Sequence, residues 1–265
     1  MGTGVLRMAT RGFFNLTDKV VLVTGGYGGI GEAICRAVAA AGARVAVAGQ
    51  NADKAETLAL ALRSEGVDAR RAPFDARSTA DTRRMVDNVA AEFGRLDILV
   101  NCVGGNLEER AESVTEAVYD DVMLRNLKTA LFQAQAAAPH MRAAGGGKVL
   151  FIGSVRGALA LRGRGFAAYC AAKGGLTALC RQLAAEWAEH RITVNVLSPT
   201  FTRTAQAAKW LDDPAFYESV VARIPLGRVA ETTDIAGAAL FFVSPASDFV
   251  TGQTLYIDGG ITATQ

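Results

Sequence analysis

"VVLVTGGYGGIG", Val20 to Gly31, decides the fold. Four apolar residues run into five glycines within seven positions, and an alanine-rich segment with helical spacing follows. A short, continuously apolar run bounded by glycines reads as a strand covered on both faces. Glycines after such a strand let the backbone turn tightly and approach a phosphate at the N-terminus of the next helix. Two fingerprints fit at once. Gly26, Gly28 and Gly31 read as G-x-G-x-x-G, while Thr24, Gly25, Gly29, Ile30 and Gly31 read as T-G-x-x-x-G-I-G.

The same alternation continues along the chain. Val20–Thr24, Arg44–Ala48, Ala69–Ala72, Leu96–Asn101, Lys148–Gly153, Thr193–Ser198 and Thr254–Asp258 read as strands, with helical patterns near 30–42, 53–65, 79–93, 115–142, 166–190 and 231–243. Continuously apolar strands alternating with helices predict an α/β fold, a doubly wound seven-stranded parallel sheet with helices on both faces. No repeat or linker divides it, so one domain is expected. Residues 1–15 read as a loose extension, with Met8 a candidate start. The stretch at about 200–228 follows a strand's C-terminal end, lacks strand character and carries helical pieces at 205–211 and 214–223, the pattern of a substrate lid.

Composition narrows the partners. The 265 residues carry 28 basic and 26 acidic side chains without long charge blocks, so neither nucleic acid nor a membrane surface is favoured as a partner. No apolar run approaches the roughly 20 residues of a spanning helix, and no secretory signal opens the chain, which points to the cytoplasm. Cys35, Cys102, Cys170 and Cys180 form no C-x-x-C pair and read as buried free thiols; His140 and His190 lack ligand spacing, so no metal site is expected.

A dinucleotide fingerprint predicts a carboxylate at the end of the second strand for the adenosine ribose. Gly49 and Gln50 stand there instead. Without that carboxylate the repulsion of a 2′-phosphate is gone and space is open, with Gln50, Asn51 and Lys54 at hand as partners. NADP(H) is therefore favoured, and NAD(H) remains an alternative.

"AAYCAAKGGL" sets Tyr169 and Lys173 four residues apart on one helical face. An ammonium beside a phenol favours the phenolate and lowers a pKa that is ordinarily about 10, as proton exchange near neutral pH requires. Ser154, fifteen residues earlier and just past a strand, can hydrogen-bond a substrate oxygen.

Taken together, these motifs resemble the short-chain dehydrogenase/reductase family over residues 14–262. "FNLTDKVVLVTGGYGGIG", "LDILVNCVGG", "NVLSPTFTRT" and "TGQTLYIDGG" are similar to the family's opening, fourth-strand, P-G-x-x-x-T and C-terminal segments. The resemblance implies a single-domain Rossmann fold and an NAD(P)-dependent exchange of a secondary alcohol and a ketone. It implies that Tyr169 is the acid/base, Ser154 orients the carbonyl, Lys173 tunes the tyrosine and holds the nicotinamide ribose, and Asn126 supports a proton-relaying water. Thr24, Gly25, Tyr27, Gly28, Gly29, Ile30 and Gly31 then form the phosphate turn. Gln50, Asn51, Asp75 and Ala76 flank the adenosine, Asn101, Val103 and Gly104 line the cofactor's middle, and Pro199, Thr200, Phe201, Thr202 and Thr204 approach the nicotinamide. Cys102-Val103 replaces N-A, Thr200 replaces a glycine, and the loop from Ser154 to Tyr169 is longer than the commonest spacing.

Arg156, with Arg162 and Arg164 in that loop, is placed to meet a substrate carboxylate. "SVRG" and "AAYCAAKGGL" resemble the gluconate 5-dehydrogenase and polyol branch, so a sugar acid or polyol is expected. A 3-oxoacyl-acyl-carrier-protein reductase is the alternative, weakened by Ala185 where many carry arginine. A nucleotide-sensing scaffold without turnover would predict loss of Tyr169 or Lys173, and both are present. The family resemblance also implies a homotetramer or homodimer built on the apolar segments 115–142 and 166–190.

Overall fold

The computed structural model describes residues 12–265, so residues 1–11, with the expected start at Met8 and most of the expected extension, lie outside the described residues. Of the remaining extension, Gly12 and Phe13 are helical and Asn15 accepts a hydrogen bond from the Thr17 amide at 2.9 Å, and the buried Leu16 anchors the chain to the body.

Seven strands form one all-parallel sheet: β1 (Val20–Thr24), β2 (Arg44–Gly49), β3 (Ala69–Pro73), β4 (Ile98–Asn101), β5 (Gly147–Ile152), β6 (Ile192–Pro199) and β7 (Thr254–Ile257). Their order is β3-β2-β1-β4-β5-β6-β7, so the winding direction reverses between β1 and β4. At that switch point the C-terminal strand ends leave a crevice suited to a ligand.

Alternate side chains of the strands feed two separate cores. Val20, Leu22, Leu99, Val149 and Phe151 pack with α3 (Thr79–Phe93), α5 (Thr129–Ala143) and α6 (Ala167–Trp187). Val21, Val23, Val100, Leu150 and Ile152 pack with α1 (Gly29–Ala40), α2 (Ala52–Ser64) and α9 (Thr232–Val243). A strand buried on both faces cannot alternate polar and apolar residues, which is why these runs are continuously apolar.

The expected helix at 115–142 is broken. It consists of α4 (Glu116–Met123), a π-helical turn at Leu124–Lys128 and then α5. Of the expected lid, α7 (Ala205–Leu211) falls where the pattern put it, and α8 runs Pro214–Val221. A short α10 (Ile261–Thr264) was not anticipated. Leu211, Val220, Ile224, Val229 and Ile261 form a third apolar cluster with Val155, so the 200–228 segment is packed against the loop that follows β5.

Under the crevice floor, the fully buried Gln133 of α5 accepts from Thr24 Oγ1 at 2.7 Å and from Asn101 Nδ2 at 2.5 Å, tying the ends of β1 and β4 together. Leucine at this position orphans two buried donors, at about 1–3 kcal/mol each. Gln133→Leu is expected to lower stability by roughly 2–4 kcal/mol in thermal unfolding, whereas Gln135→Leu on the exposed face of the same helix stays within about 0.5 kcal/mol.

Candidate active site

The glycine turn is built for close approach. Gly25 has φ +69°, and a Cβ there would lie 3.0 Å from the Cys102 carbonyl at the end of β4. Gly31 sits so close over the Gly25 carbonyl that no side chain fits. Gly28 caps α1 with no side-chain hydrogen bond, which leaves the helix's first amides and its positive dipole end turned into the crevice. Thr204 closes the far side, its methyl 2.7 Å from where a Gly29 Cβ would stand. Ile30 faces inward, packed against the second core.

Thr24 and Asn101 are 0% and 1% exposed, and Thr24 Oγ1 and Asn101 Nδ2 both donate to Gln133, so these side chains tie the strand ends together. Gln133 was missed in the sequence because a lone glutamine within "FQAQAAA" carries no motif.

The adenosine end also departs from expectation. The space over Gly49 is not open. Tyr27 from the glycine turn lies across it, with Cζ 2.8 Å and Oη 2.9 Å from the position of a Gly49 Cβ. The Asn51 amide donates to Tyr27 Oη at 2.9 Å, and Asn51 Oδ1 caps α2 through the Lys54 amide at 2.9 Å. Gly49 is therefore required by the tyrosine packed on it. Gln50 is exposed beside this pair, and Lys54 is exposed as well. Asp75 is exposed with Oδ1 accepting from the Arg77 amide at 2.9 Å, and Ala76 packs against the first core.

At the centre, Asn126, Ser154, Tyr169 and Lys173 lie near one another. Asn126 lies in the π-helical turn, a backbone irregularity frequent at functional sites. Its Nδ2 donates to the carbonyls of Val122 (2.8 Å) and Gly105 (2.7 Å), and its Oδ1 accepts from the Gly105 amide at 3.2 Å. A Cβ on Gly104 would lie 2.8 Å from Asn126 Oδ1 and 3.3 Å from Lys173 Nζ, so the bare glycine lets the two polar groups face one space. Val103 beside it packs into the first core.

Lys173 is 4% exposed and donates from Nζ to the Ile152 carbonyl at 2.9 Å. Burial lowers its pKa to about 8. Tyr169 runs opposite to the expectation of a lowered pKa. Burial pushes its phenol above the ordinary value, against the opposing pull of the Ser154 hydroxyl and the charge of Arg156. The ammonium donates to the Ile152 carbonyl and sits 5.7 Å from the tyrosine ring centroid. Ser154 Oγ accepts from the Arg156 amide at 3.1 Å, which fixes the serine at the start of the loop.

At the nicotinamide end, Pro199 closes β6 inside the body, and Thr202 Oγ1 donates to the Thr200 carbonyl at 3.1 Å. Phe201 stacks edge-on with Phe216 of α8 at 5.8 Å. Thr200 Oγ1 is buried and has no hydrogen-bond partner. This orphaned hydroxyl, the uncapped α1 N-terminus and the bare Gly104 all fit a nicotinamide dinucleotide laid across the switch point. Of the loop arginines, Arg164 is bound to Glu108 and Arg156 is buried, so the loop is not the open cationic patch that its composition suggests. Cys35 and Cys180 are buried as expected, whereas Cys102 and Cys170 are only partly buried. No helix among the described residues is long and apolar enough to cross a membrane.

The family model described as enoyl-(acyl carrier protein) reductase matches residues 25–262. A D-threitol dehydrogenase of Mycolicibacterium smegmatis is 39% identical over 94% of this chain and 95% of its own. A gluconate 5-dehydrogenase of Gluconobacter oxydans is 35% identical over 94% and 96%. The crystal structure of a gluconate 5-dehydrogenase from Burkholderia cenocepacia, in complex with NADP and tartrate, superposes with a TM-score of 0.92 at 37% identity, over 97% of this chain and all of that one. With a family model spanning nearly the whole chain and relatives above 30% identity across it, the protein belongs to the short-chain dehydrogenase/reductase family of oxidoreductases, which act on CH–OH groups.

Proposed function

We propose that the protein interconverts a secondary alcohol and a ketone on a sugar acid or polyol, with NADP(H) favoured over NAD(H). The observation that carries this reading is the convergence of Asn126 Oδ1 and Lys173 Nζ on the space over Gly104, with the Tyr169 ring 5.7 Å from that ammonium and Ser154 close enough to lower the phenol's pKa. The nicotinamide, when bound, supplies or accepts the hydride. Ser154 holds the substrate oxygen against Tyr169, and the phenol gives its proton to the developing alkoxide or takes it back in oxidation. Lys173, titrating near 8, holds its proton at neutral pH yet can release it in mild alkali, so it can restore the phenol's proton, with Asn126 fixing the space between.

The preference for NADP(H) rests on Tyr27 and Gly49, which exclude a ribose-binding carboxylate from the end of β2. Solved relatives bound to NADP support it. The 200–228 segment acts as a lid through its apolar cluster over Val155. A homo-oligomer fits a groove of about 680 Å³ along α4 and α6, lined by Met123, Leu124, Leu127, Leu131 and Leu179.

Three measurements test this account. Across a panel of polyols, sugar acids, ketoacids and acetoacetyl thioesters, wild type is expected to turn over a hydroxyl- or oxo-substrate of the first two kinds with NADPH ahead of NADH. Tyr169→Phe should then lose roughly 10²–10⁴-fold in kcat while retaining NADPH affinity; activity preserved in this variant contradicts the acid/base role.

Gly49→Asp alone should weaken binding of both nucleotides in a fluorescence titration, because Tyr27 blocks the new side chain. Gly49→Asp with Tyr27→Ser should recover binding and move the NADP/NAD affinity ratio about tenfold toward NAD. A full switch from Gly49→Asp alone speaks against the packing argument.

Lys173 has a folded pKa near 8, below its ordinary 10.5, so the unfolded chain binds more protons between those values and stability rises with pH across that window. Lys173→Met is therefore expected to abolish turnover yet raise the melting temperature of the nucleotide-free protein at pH 7, by roughly 1–3 kcal/mol in stability, with the gain fading toward pH 10.5. An equal gain at both pH values would show that the ammonium is not the source.

A further inference from the structure

The loop between β5 and α6 carries three arginines in three situations. Arg162 is exposed. Arg164 is paired with Glu108 through both its Nε and Nη2 and lies over the rings of Phe166 and Phe216. Arg156 is 5% exposed. Its Nη1 donates to the carbonyls of Ala160 at 2.7 Å and Leu159 at 3.2 Å, while its Nη2 is buried with no hydrogen-bond partner among the described residues.

Burying a guanidinium is expensive, and carbonyl dipoles on one nitrogen leave its charge uncompensated. Ion pairing is the ordinary remedy, and Arg164, two turns of loop away, has it. Arg156 has none: the charged and titratable groups around it are Tyr169, Cys170 and a second guanidinium, Arg223, whose Nη2 is held by Gln265 Oε1 at 2.7 Å. Burial and the charge of Arg223 both press the Arg156 pKa down. Such an arrangement gains little for folding, yet it lies two residues from Ser154 and within the field of the phenol that exchanges the proton. No carboxylate of the described residues is among the charged neighbours that act on it, and Tyr169, the phenol of the proposed proton exchange, is one of them.

We infer that Arg156 is the anchor for a substrate carboxylate, so that the enzyme selects hydroxy- and oxo-carboxylates over neutral polyols. This rests on the alcohol–ketone reading above and chooses between its two substrate classes. A carboxylate is planar and accepts charge-assisted bonds from a guanidinium, satisfying Nη2 and neutralising the buried charge together; a neutral polyol offers only a hydroxyl and leaves the charge in place. Arg223 adds positive potential at the lid side. Because the anchor is fixed by Leu159 and Ala160, it sets the distance from the carboxylate to the carbon facing Tyr169.

The test uses pairs that share a carbon skeleton and differ in charge: tartrate against threitol for binding, and gluconate against sorbitol for turnover. Binding to the full chain, saturated with NADPH, is followed by calorimetry and thermal shift, which need no turnover. Tartrate is expected to bind wild type at least tenfold more tightly than threitol. Arg156→Gln should weaken tartrate at least tenfold, Arg156→Lys should retain part of the affinity, and NADPH affinity should stay within twofold in both. The gluconate-to-sorbitol ratio of kcat/KM should fall at least tenfold in Arg156→Gln. Should Arg156→Gln fold poorly, the lysine variant and the wild-type tartrate-to-threitol ratio decide. The proposal is overturned if threitol binds wild type as well as tartrate does, or if tartrate affinity is unchanged in folded Arg156 variants. Tartrate binding that depends on Arg156 with no turnover on any alcohol leaves the anchor and removes the redox reading, whereas turnover of neutral polyols with no tartrate binding does the reverse.

Discussion

A single buried ammonium organises the catalytic end of this sheet. Lys173 Nζ, held at 2.9 Å by the Ile152 carbonyl, connects the end of β5 to α6 and faces Asn126 across the bare backbone of Gly104. Burial destabilises this ammonium, which is why its pKa is near 8 rather than 10.5. That looseness is an expense for folding and suits a group that passes protons. The π-helical turn places Asn126 beside it, and the bare Gly104 leaves room between the two.

The charge layout around the site follows one logic. Some arginines outside the reactive space are paired, as Arg164 is with Glu108 and Arg77 with Asp121 at 2.9 Å. Inside it, Lys173 and Arg156 are both buried cations without a carboxylate partner, and both stand next to Tyr169. Positive potential at a phenol that must part with a proton favours its ionised form, and burial alone opposes it. In the free protein burial prevails, so the phenol keeps its proton until further positive charge or a substrate oxygen arrives.

The fold was legible because a sheet buried on both faces leaves a strong mark. The runs at Val20–Val23 and Ile98–Val100 need apolar residues on both sides, and glycines at their ends have few other uses. Tyr169, Lys173, Ser154 and Asn126 were found from spacing and family likeness, and they do meet in space. What the sequence hid were effects of packing between distant segments. Nothing near residue 49 says that Tyr27 will lie over it, and so the space read as open is filled. Nothing near Thr24 or Asn101 says that Gln133, on a helix far along the chain, will accept hydrogen bonds from both side chains. The helical pattern at 115–142 conceals its π turn, since an extra residue in one turn barely disturbs the spacing of small apolar side chains. Arg156 was noticed, but whether it was solvated, paired or buried alone depends on a loop whose course no local pattern fixes.

The proton at Tyr169 is the most direct reporter of the buried ammonium's effect. Carbon-13 labelling of tyrosine Cζ, with Tyr169→Phe to assign the signal, reports that phenol's titration directly. In the free protein it should titrate above the ordinary value of about 10, and on saturation with NADP⁺ it should drop by roughly 1–3 units in wild type and by clearly less in Lys173→Met. An identical titration with and without nucleotide, or an equal drop in the methionine variant, would contradict the control that the buried ammonium is held to exert.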